Sequence, residues 1–377
     1  AHTPHMDSLA ASGIMGVAHT IPEGMPPGSD VANMALIGFD PAKHHTGRGP
    51  IEAAAQGLKL DPKDLVYRLN LVTISGVEDG RIDPLGNMLD YSSGHIATED
   101  AARLIQMLDA ELGDDTFSFI PGIQYRHLLV QRGGGDAPEA GLHINPPHDR
   151  TDKPLEPDLE AYGTSQGLNR LLHGAAELLA DPANTTRANS IWPWGQGKPL
   201  ILPPFEEAFG LKGAVVTAVD LVKGLGHASS MAVPDVPGVT GLLDTNYQGK
   251  VDAALDFLKT GDFVYLHVEA PDECGHAGDA ADKMEAIRRF DERIVAPMLK
   301  GLEGVDAMFV LACDHLTPIK VRTHVTDPIP FVVARPGAEM DGKGLNAGLY
   351  NEKNALATGL SISPGHEFLP FVQGLAR

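Results

Sequence analysis

The stretch Phe263-Val264-Tyr265-Leu266-His267-Val268-Glu269-Ala270-Pro271-Asp272-Glu273-Cys274-Gly275-His276 decides how this sequence reads. A β-run ends at Val268, and a carboxylate and an imidazole follow at Asp272 and His276, four residues apart. In an open parallel sheet ligands bind beyond the carboxyl ends of the strands, so an Asp and a His delivered there can reach one cation. The layout recurs at Phe309-Val310-Leu311-Ala312-Cys313-Asp314-His315, and Thr323-His324 follows shortly after. An isolated Asp-His pair is usually a structural hydrogen bond, and a lone histidine is usually surface or satisfied core. Three polar clusters in this order instead supply the mixed nitrogen and oxygen donors that suit Zn, Mn or Fe. Cys274 and Cys313 flank these donors and read as buried packing, the common state of a free cysteine.

Outward from these clusters, short β-rich runs recur at 68–74, 126–131, 214–219, 263–268, 307–312 and 331–334. Helical patterns lie between them. The clearest covers 279–302, with Met284, Ile287, Ile294, Val295, Met298 and Leu302 at helical spacing, and a second covers 98–112 with Thr98 as N-cap. Alternating β and α units predict an α/β protein with a mostly parallel sheet flanked by helices. Gly133-Gly134-Gly135-Asp136-Ala137-Pro138 reads as a flexible tip, and 145–157, rich in Pro and charge, as a second break. The chemistry-bearing motifs fall in the first 50 residues and again beyond 205. Residues 1–50 and 205–377 are therefore expected to form one discontinuous catalytic domain, with 51–204 an inserted α/β domain that clamps substrate.

The 377 residues suffice for two domains, and 43% hydrophobic with 21% charged residues is ordinary globular composition. A formal net charge of −21 disfavours nucleic acid or an anionic membrane as partner, since either asks for a basic face. It leaves room for a small anionic metabolite met by a few local cations. Two cysteines make no disulfide framework, and with no long apolar run and no charged-then-apolar leader pattern the expected setting is the cytoplasm. Oligomeric state is not legible.

A nucleophile is offered by Gly24-Met25-Pro26-Pro27-Gly28-Ser29-Asp30-Val31-Ala32-Asn33. Pro and Gly close a loop, and 31–37 reads as a short helix with Ser29 or Asp30 at its N-cap, where free N–H groups and the dipole favour an anion. An isolated Gly-Ser-Asp is usually just a cap. Beside a metal, cation and helix dipole together would lower the serine pKa and suit it to phosphoryl transfer. The flanking residues do not make the Gly-x-Ser-x-Gly elbow of acyl-transfer hydrolases.

Together these strings resemble a known family. Ala1-His2-Thr3-Pro4-His5-Met6-Asp7, Ile21-Pro22-Glu23-Gly24-Met25-Pro26-Pro27-Gly28-Ser29-Asp30, Gly38-Phe39-Asp40-Pro41 and Thr46-Gly47-Arg48-Gly49-Pro50 look like the archaeal-type cofactor-independent phosphoglycerate mutases of the alkaline phosphatase superfamily. The Asp272/His276, Asp314-His315 and His324 blocks follow in the family's order. The resemblance implies an alkaline-phosphatase-like sheet carrying two divalent metals, with Mn, Zn or Co the plausible ions and Mg also fitting. Carried over, Asp272, His276 and His324 would hold one metal, and Ser29, Asp314 and His315 the other. Ser29 would take the phosphoryl group of 3-phosphoglycerate as a phosphoserine and return it to the 2-hydroxyl while closure of the inserted domain excludes water. Substrate-binding candidates are His95, Arg126, His127, Asp149, Arg187 and Lys223, the guanidinium groups suiting oxyanions. Arg48 reads alternatively as a helix partner of Glu52, four residues on.

Two departures qualify the resemblance. The family carries a further metal-binding Asp on a strand upstream of the Thr-Pro-x-Met-Asp segment, and a start at Ala1 leads us to expect such a segment ahead of it. Ile191-Trp192-Pro193-Trp194-Gly195-Gln196-Gly197 stands where the family leads us to expect a basic residue. That change leaves room for homoserine as acceptor in a kinase-like reaction. A phosphatase, or a non-catalytic binder of metal or phosphometabolite, completes the alternatives.

Overall fold

In the computed structural model of the chain, which describes residues 1–78, 80–338, 340 and 348–376, the apolar run Ile329–Ala334 is buried along its whole length. Such a run buries both faces of a strand, and its two faces feed two cores. Phe331 and Val333 pack with Ala18, Phe368 and Val372, while Val332 and Ala334 pack with Met6, Leu9 and Val295. The strand lies inside a four-stranded sheet, in the order Phe309–Ala312, Ile329–Ala334, Ile14–Ala18, Ser361–Ile362. A parallel pair, Gly213–Val216 with Phe263–Leu266, packs against helix Tyr247–Phe257 and the helical stretch that ends at Gly301.

These elements form one compact unit, Ala1–His45 with Ile201–Arg377; Thr46–Leu200 forms the other. The expectation of a mostly parallel sheet is corrected by the strand directions. Ile329–Ala334 runs antiparallel to both its neighbours, Phe309–Ala312 and Ile14–Ala18. The reason lies in the connection: residues 313–328 contain no helix, and a return without a crossover lays the next strand antiparallel. Ile14–Ala18 and Phe309–Ala312, both opposed to Ile329–Ala334, therefore point the same way and end on the same edge. Thr20 confirms this, its hydroxyl donating to the Asp314 carbonyl at 2.6 Å.

The second unit is built on an antiparallel five-stranded sheet. Leu65–Ile74 pairs with Met88–Asp90, Arg126–Gln131 and Ser190–Gly197, and Phe117–Ile123 pairs with Arg126–Gln131. Helices Thr98–Leu112 and Gln166–Leu179 cover one face through Ile105, Leu108, Leu168, Leu172 and Leu179. Helix Arg48–Ala55 packs on the other through Ala53, against Val66 and Leu128. Thr98 opens its helix rather than capping it, and its hydroxyl instead accepts from Gln124 N. The helical pattern over 279–302 resolves into Ala280–Phe290, a π-turn at Asp291–Val295 and Ala296–Gly301. The expected flexible tip is pinned: Gly134 and Gly135 are buried, Gly135 N donates to the Lys63 carbonyl at 2.7 Å, and Gly133 N donates to Asp64 at 3.0 Å. Among the described residues no helix is long and apolar enough to cross a membrane.

Candidate active site and metal centre

Strand direction places the chemistry. Phe263–Leu266 leads into helix Ala270–Ala277, where a spacing of four puts Asp272 and His276 on one face, and Phe309–Ala312 delivers Asp314 and His315. His276 Nδ1 lies 3.1 Å from the Arg322 carbonyl, which can only accept, so in the neutral ring Nε2 presents a lone pair. That Nε2 faces His324 Nε2 at 2.9 Å and Asp272 Oδ2 at 3.2 Å, and Asp272 Oδ1 is 3.5 Å from His324 Nε2. Ligand atoms of Asp272, His276 and His324 all lie within 4.8 Å of one another. Two imidazole nitrogens that close require a shared proton or a cation between them, and this donor set fits a divalent metal.

Electrostatics agree with that fit. Burial works to raise Asp272, yet hydrogen bonds from His324 and Thr317 hold it at about 2, so it is ionised. Burial lowers His324, but its bond to Asp272 more than compensates and leaves it raised. Glu269, three residues earlier, is pushed up to about 8 by burial and by the charges of Asp272 and Asp314, a crowding of carboxylates that a cation relieves.

The tautomer of His315 follows from its neighbours. Thr317 has one hydroxyl hydrogen and donates it to the Asp272 carboxylate, so its oxygen accepts from His315 Nδ1 at 3.2 Å. Burial holds His315 below the usual histidine range, hence neutral, and its Nε2 lone pair faces Ser29 Oγ at 2.9 Å. Asp314 Oδ2 is 3.4 Å from the same Nε2. Ser29 is the first residue of helix Ser29–Leu36, with extended Gly28 as cap, so neither Ser29 nor Asp30 takes the expected N-cap place. Asp30 instead pairs with His45 at 2.9 Å.

Asn33, one turn after Ser29, was not legible as a site residue. Its amide donates to the Ser29 carbonyl and to Asp314 Oδ2, both at 2.8 Å, and its oxygen accepts from Tyr265 at 2.6 Å. A spacing of four from the candidate nucleophile was the available signal. Thr317 lay in plain sight two residues beyond His315. Cys274 and Cys313 stand outside the metal-competent group, and burial raises both thiols. Lys223 belongs to the same unit as this centre and pairs with Asp220 at 3.2 Å.

In the second unit, His95 and Arg126 lie near Tyr125, while Arg187 lies 4.0 Å from Asp90. His95 meets Tyr125 edge-on at 6.2 Å, the Arg126 guanidinium stands 5.6 Å from the same ring, and His148, next to Asp149, meets Tyr91 at 6.1 Å. Ser93, Gly94 and His95 are consecutive left-handed residues, with φ of 50, 76 and 53°. Asp90 stabilises them by accepting from Ser92 N, Ser92 Oγ and Gly94 N at 2.7–2.8 Å. A Cβ on Gly94 would stand 3.0 Å from Arg187 Cδ, so glycine lets that arginine lie against the loop. His127 is corrected: alternation along Arg126–Gln131 turns it inward, only 1% exposed, where its Nδ1 accepts from Gly122 N at 2.9 Å.

Comparisons with known proteins agree with one another. Residues 10–184 match the family described as 2,3-bisphosphoglycerate-independent phosphoglycerate mutase. A protein of that name from Methanosarcina barkeri is 48% identical over 345 residues, covering 89% of this chain and 84% of its own length. One from Methanothrix thermoacetophila is 43% identical over 379 residues, covering 98% and 92%. Among solved structures, a cofactor-independent phosphoglycerate mutase from Thermoplasma acidophilum superposes with TM-score 0.66 at 26% identity, over 100% of this chain and 92% of that one. A protein from Pyrococcus horikoshii superposes with TM-score 0.77 at 27% identity, over 100% and 90%.

Proposed function

The chain belongs to the 2,3-bisphosphoglycerate-independent phosphoglycerate mutases, and from that membership we propose that this isomerase interconverts 3- and 2-phosphoglycerate through a phosphoserine at Ser29. The observation that carries the proposal is Ser29 Oγ at the start of a helix, 2.9 Å from a His315 nitrogen whose tautomer is set by Thr317 and Asp272. As the Oγ–P bond forms, the P–O bond to C3 breaks; the proton that the Ser29 hydroxyl gives up is balanced by the one that the departing oxygen takes up as it ends as a hydroxyl. The 2-hydroxyl then takes the phosphoryl group, its own proton is released, and Ser29 regains one. No second substrate is needed, and the helix N-terminus favours the anionic phosphoryl group.

Asp272, His276 and His324 would hold one divalent cation, and Ser29, Asp314 and His315 a second, with Mn, Zn or Co suited to this ligand mix and Mg also fitting. Bound there, such ions supply neutralisation of the phosphoryl charge and lower the pKa of the serine hydroxyl. Asn33 holds Asp314 and the Ser29 backbone in one arrangement. His95, Arg126, Asp149 and Arg187 of the second unit, with Lys223 of the first, are the substrate-binding residues in this reading, the guanidinium groups pairing with carboxylate or phosphate oxygens.

The test is ³¹P NMR of 3-phosphoglycerate with the full chain and Mn²⁺, without ATP or 2,3-bisphosphoglycerate. Growth of 2-phosphoglycerate, lost in Ser29→Ala with metal content unchanged, supports the proposal. Free phosphate alone would make the protein a phosphatase. An unchanged spectrum with metal bound would move the assignment to a kinase acting on an amino-acid alcohol, and equal turnover by Ser29→Ala would end the phosphoserine mechanism.

A further inference from the structure

The Trp192-Pro193-Trp194 segment stands where a basic residue was expected, and the structure supplies one from another strand. Strand register sets Arg68 of Leu65–Ile74 directly opposite Trp194 of Ser190–Gly197, and the guanidinium lies 4.4 Å from the centre of the indole ring. Trp194 is itself locked, its Nε1 donating to Asn70 Oδ1 at 2.9 Å. Register also places Arg126 opposite Asn70, two residues from Arg68, so both arginines stand on the same face of the sheet. That face receives helix Arg48–Ala55, whose Glu52 pairs with Arg68 at 2.9 Å. The approach is tight enough to exclude side chains: a Cβ on Gly49 would stand 3.1 Å from Arg68 N and 3.1 Å from the Gly195 carbonyl. This docking sets Arg48, at the head of the helix, close to Arg68.

Arg68 therefore has an aromatic plate on one side and a single carboxylate at one edge, while its Nε is buried without a hydrogen-bond partner. A buried donor without a partner is costly. Burial and the nearby Arg48 and Arg126 do depress the guanidinium, with Glu52 only partly offsetting them. A planar, stacked guanidinium with a donor still unpaired matches an oxyanion better than a flexible ammonium does.

We propose that Arg68, held flat on Trp194 and flanked by Arg48 and Arg126, is an oxyanion-binding residue of the second unit that takes one anionic end, carboxylate or phosphate, of the phosphorylated hydroxy acid. The identity of that ligand rests on the mutase reading; the oxyanion site does not.

The test titrates the full chain in a Trp192→Phe background, which leaves Trp194 as the sole tryptophan, with inorganic phosphate and separately with sodium glycerate. A saturable change in Trp194 emission with either anion, abolished by Arg68→Gln, supports the site, and the responding anion tells which end it takes. Arg68→Gln should raise KM for 3-phosphoglycerate about ten- to a hundredfold with a much smaller effect on kcat, the scale of one charge-assisted hydrogen bond. Arg68→Lys keeps the charge without the fork and is expected to fall between. It also serves if Arg68→Gln fails to fold. No emission change with either anion, or a wild-type KM and titration in Arg68→Lys, overturns the inference. Wild-type ³¹P NMR separates the two claims: interconversion without a response at Trp194 sinks this site alone, while a response without interconversion sinks the mutase reading alone.

Discussion

Thr317→Val is the most informative single change, because it removes one oxygen and almost no volume from a residue only 5% exposed. That oxygen donates to the ionised Asp272 and accepts from His315 Nδ1, so it couples the two halves of the site. A charge-assisted hydrogen bond contributes about 1.5–3 kcal/mol, and a buried donor left unpaired costs about 1–3 kcal/mol. If partial relaxation recovers part of that sum, about 3 kcal/mol remains, which lowers the melting temperature of a unit this size by about 6–12 °C. The functional effect is separate. Without Thr317 to accept its Nδ1 hydrogen, His315 is free to take the other tautomer and present N–H to Ser29 instead of a lone pair. Partners of metal-binding side chains typically matter by about 10–100-fold in activity or metal affinity, so kcat should fall by that factor while KM for 3-phosphoglycerate stays near wild type. The assay is steady-state mutase turnover with metal content and thermal melting measured on the same samples, and Thr317→Ser as the control that restores the hydroxyl. Wild-type kcat and full metal content in a folded Thr317→Val protein would refute the tautomer argument. Equal damage from Thr317→Ser would show that the methyl group, not the hydroxyl, matters.

His127 carries a pH prediction: burial holds it at about 4, with a backbone contact at Gln124 only partly offsetting, against about 6.5 when unfolded. Between those values the unfolded chain binds the proton that the fold refuses, so stability falls on acidification through that window by about 3 kcal/mol, and His127→Phe should flatten the dependence of the urea midpoint on pH. Asp90→Ala removes three hydrogen bonds at the left-handed Ser93–His95 loop, two from Ser92 just ahead of it and one from Gly94 within it. We expect KM for 3-phosphoglycerate to rise about tenfold with a smaller change in kcat, since such strain persists only where the surroundings over-determine it; unaltered kinetics would remove His95 from the substrate set. Chelation should abolish turnover and lower the melting temperature, with Mn²⁺ restoring both, and full activity after verified metal removal would contradict the assignment of Asp272, His276 and His324.

Much of the site is local in sequence and was readable there. Asp272 and His276 share a helix face because four residues make about one turn, and Asp314-His315 is a single step of chain at a strand end. Asn33 and Thr317 were equally local, but an amide and a hydroxyl carry no ligand signature until their partners are known. Strand direction was misjudged because β–α alternation says nothing of a return that lacks a helix, as 313–328 does. His127 stands next to the candidate Arg126 in sequence, but a period of two sends adjacent strand residues to opposite faces.

Helix spacing and strand ends are properties of neighbouring residues, so the candidate ligand types, their order and the elements that carry them could be read from the sequence alone. Tertiary structure decided which distant residues became neighbours. Arg68 meets Trp194 through a strand register set by burial of one sheet face, and Ser29 meets His315 because two strands happen to end on the same edge. Register and strand direction are decided by the whole core rather than by any local run, because a shift of one residue would turn every buried side chain outward.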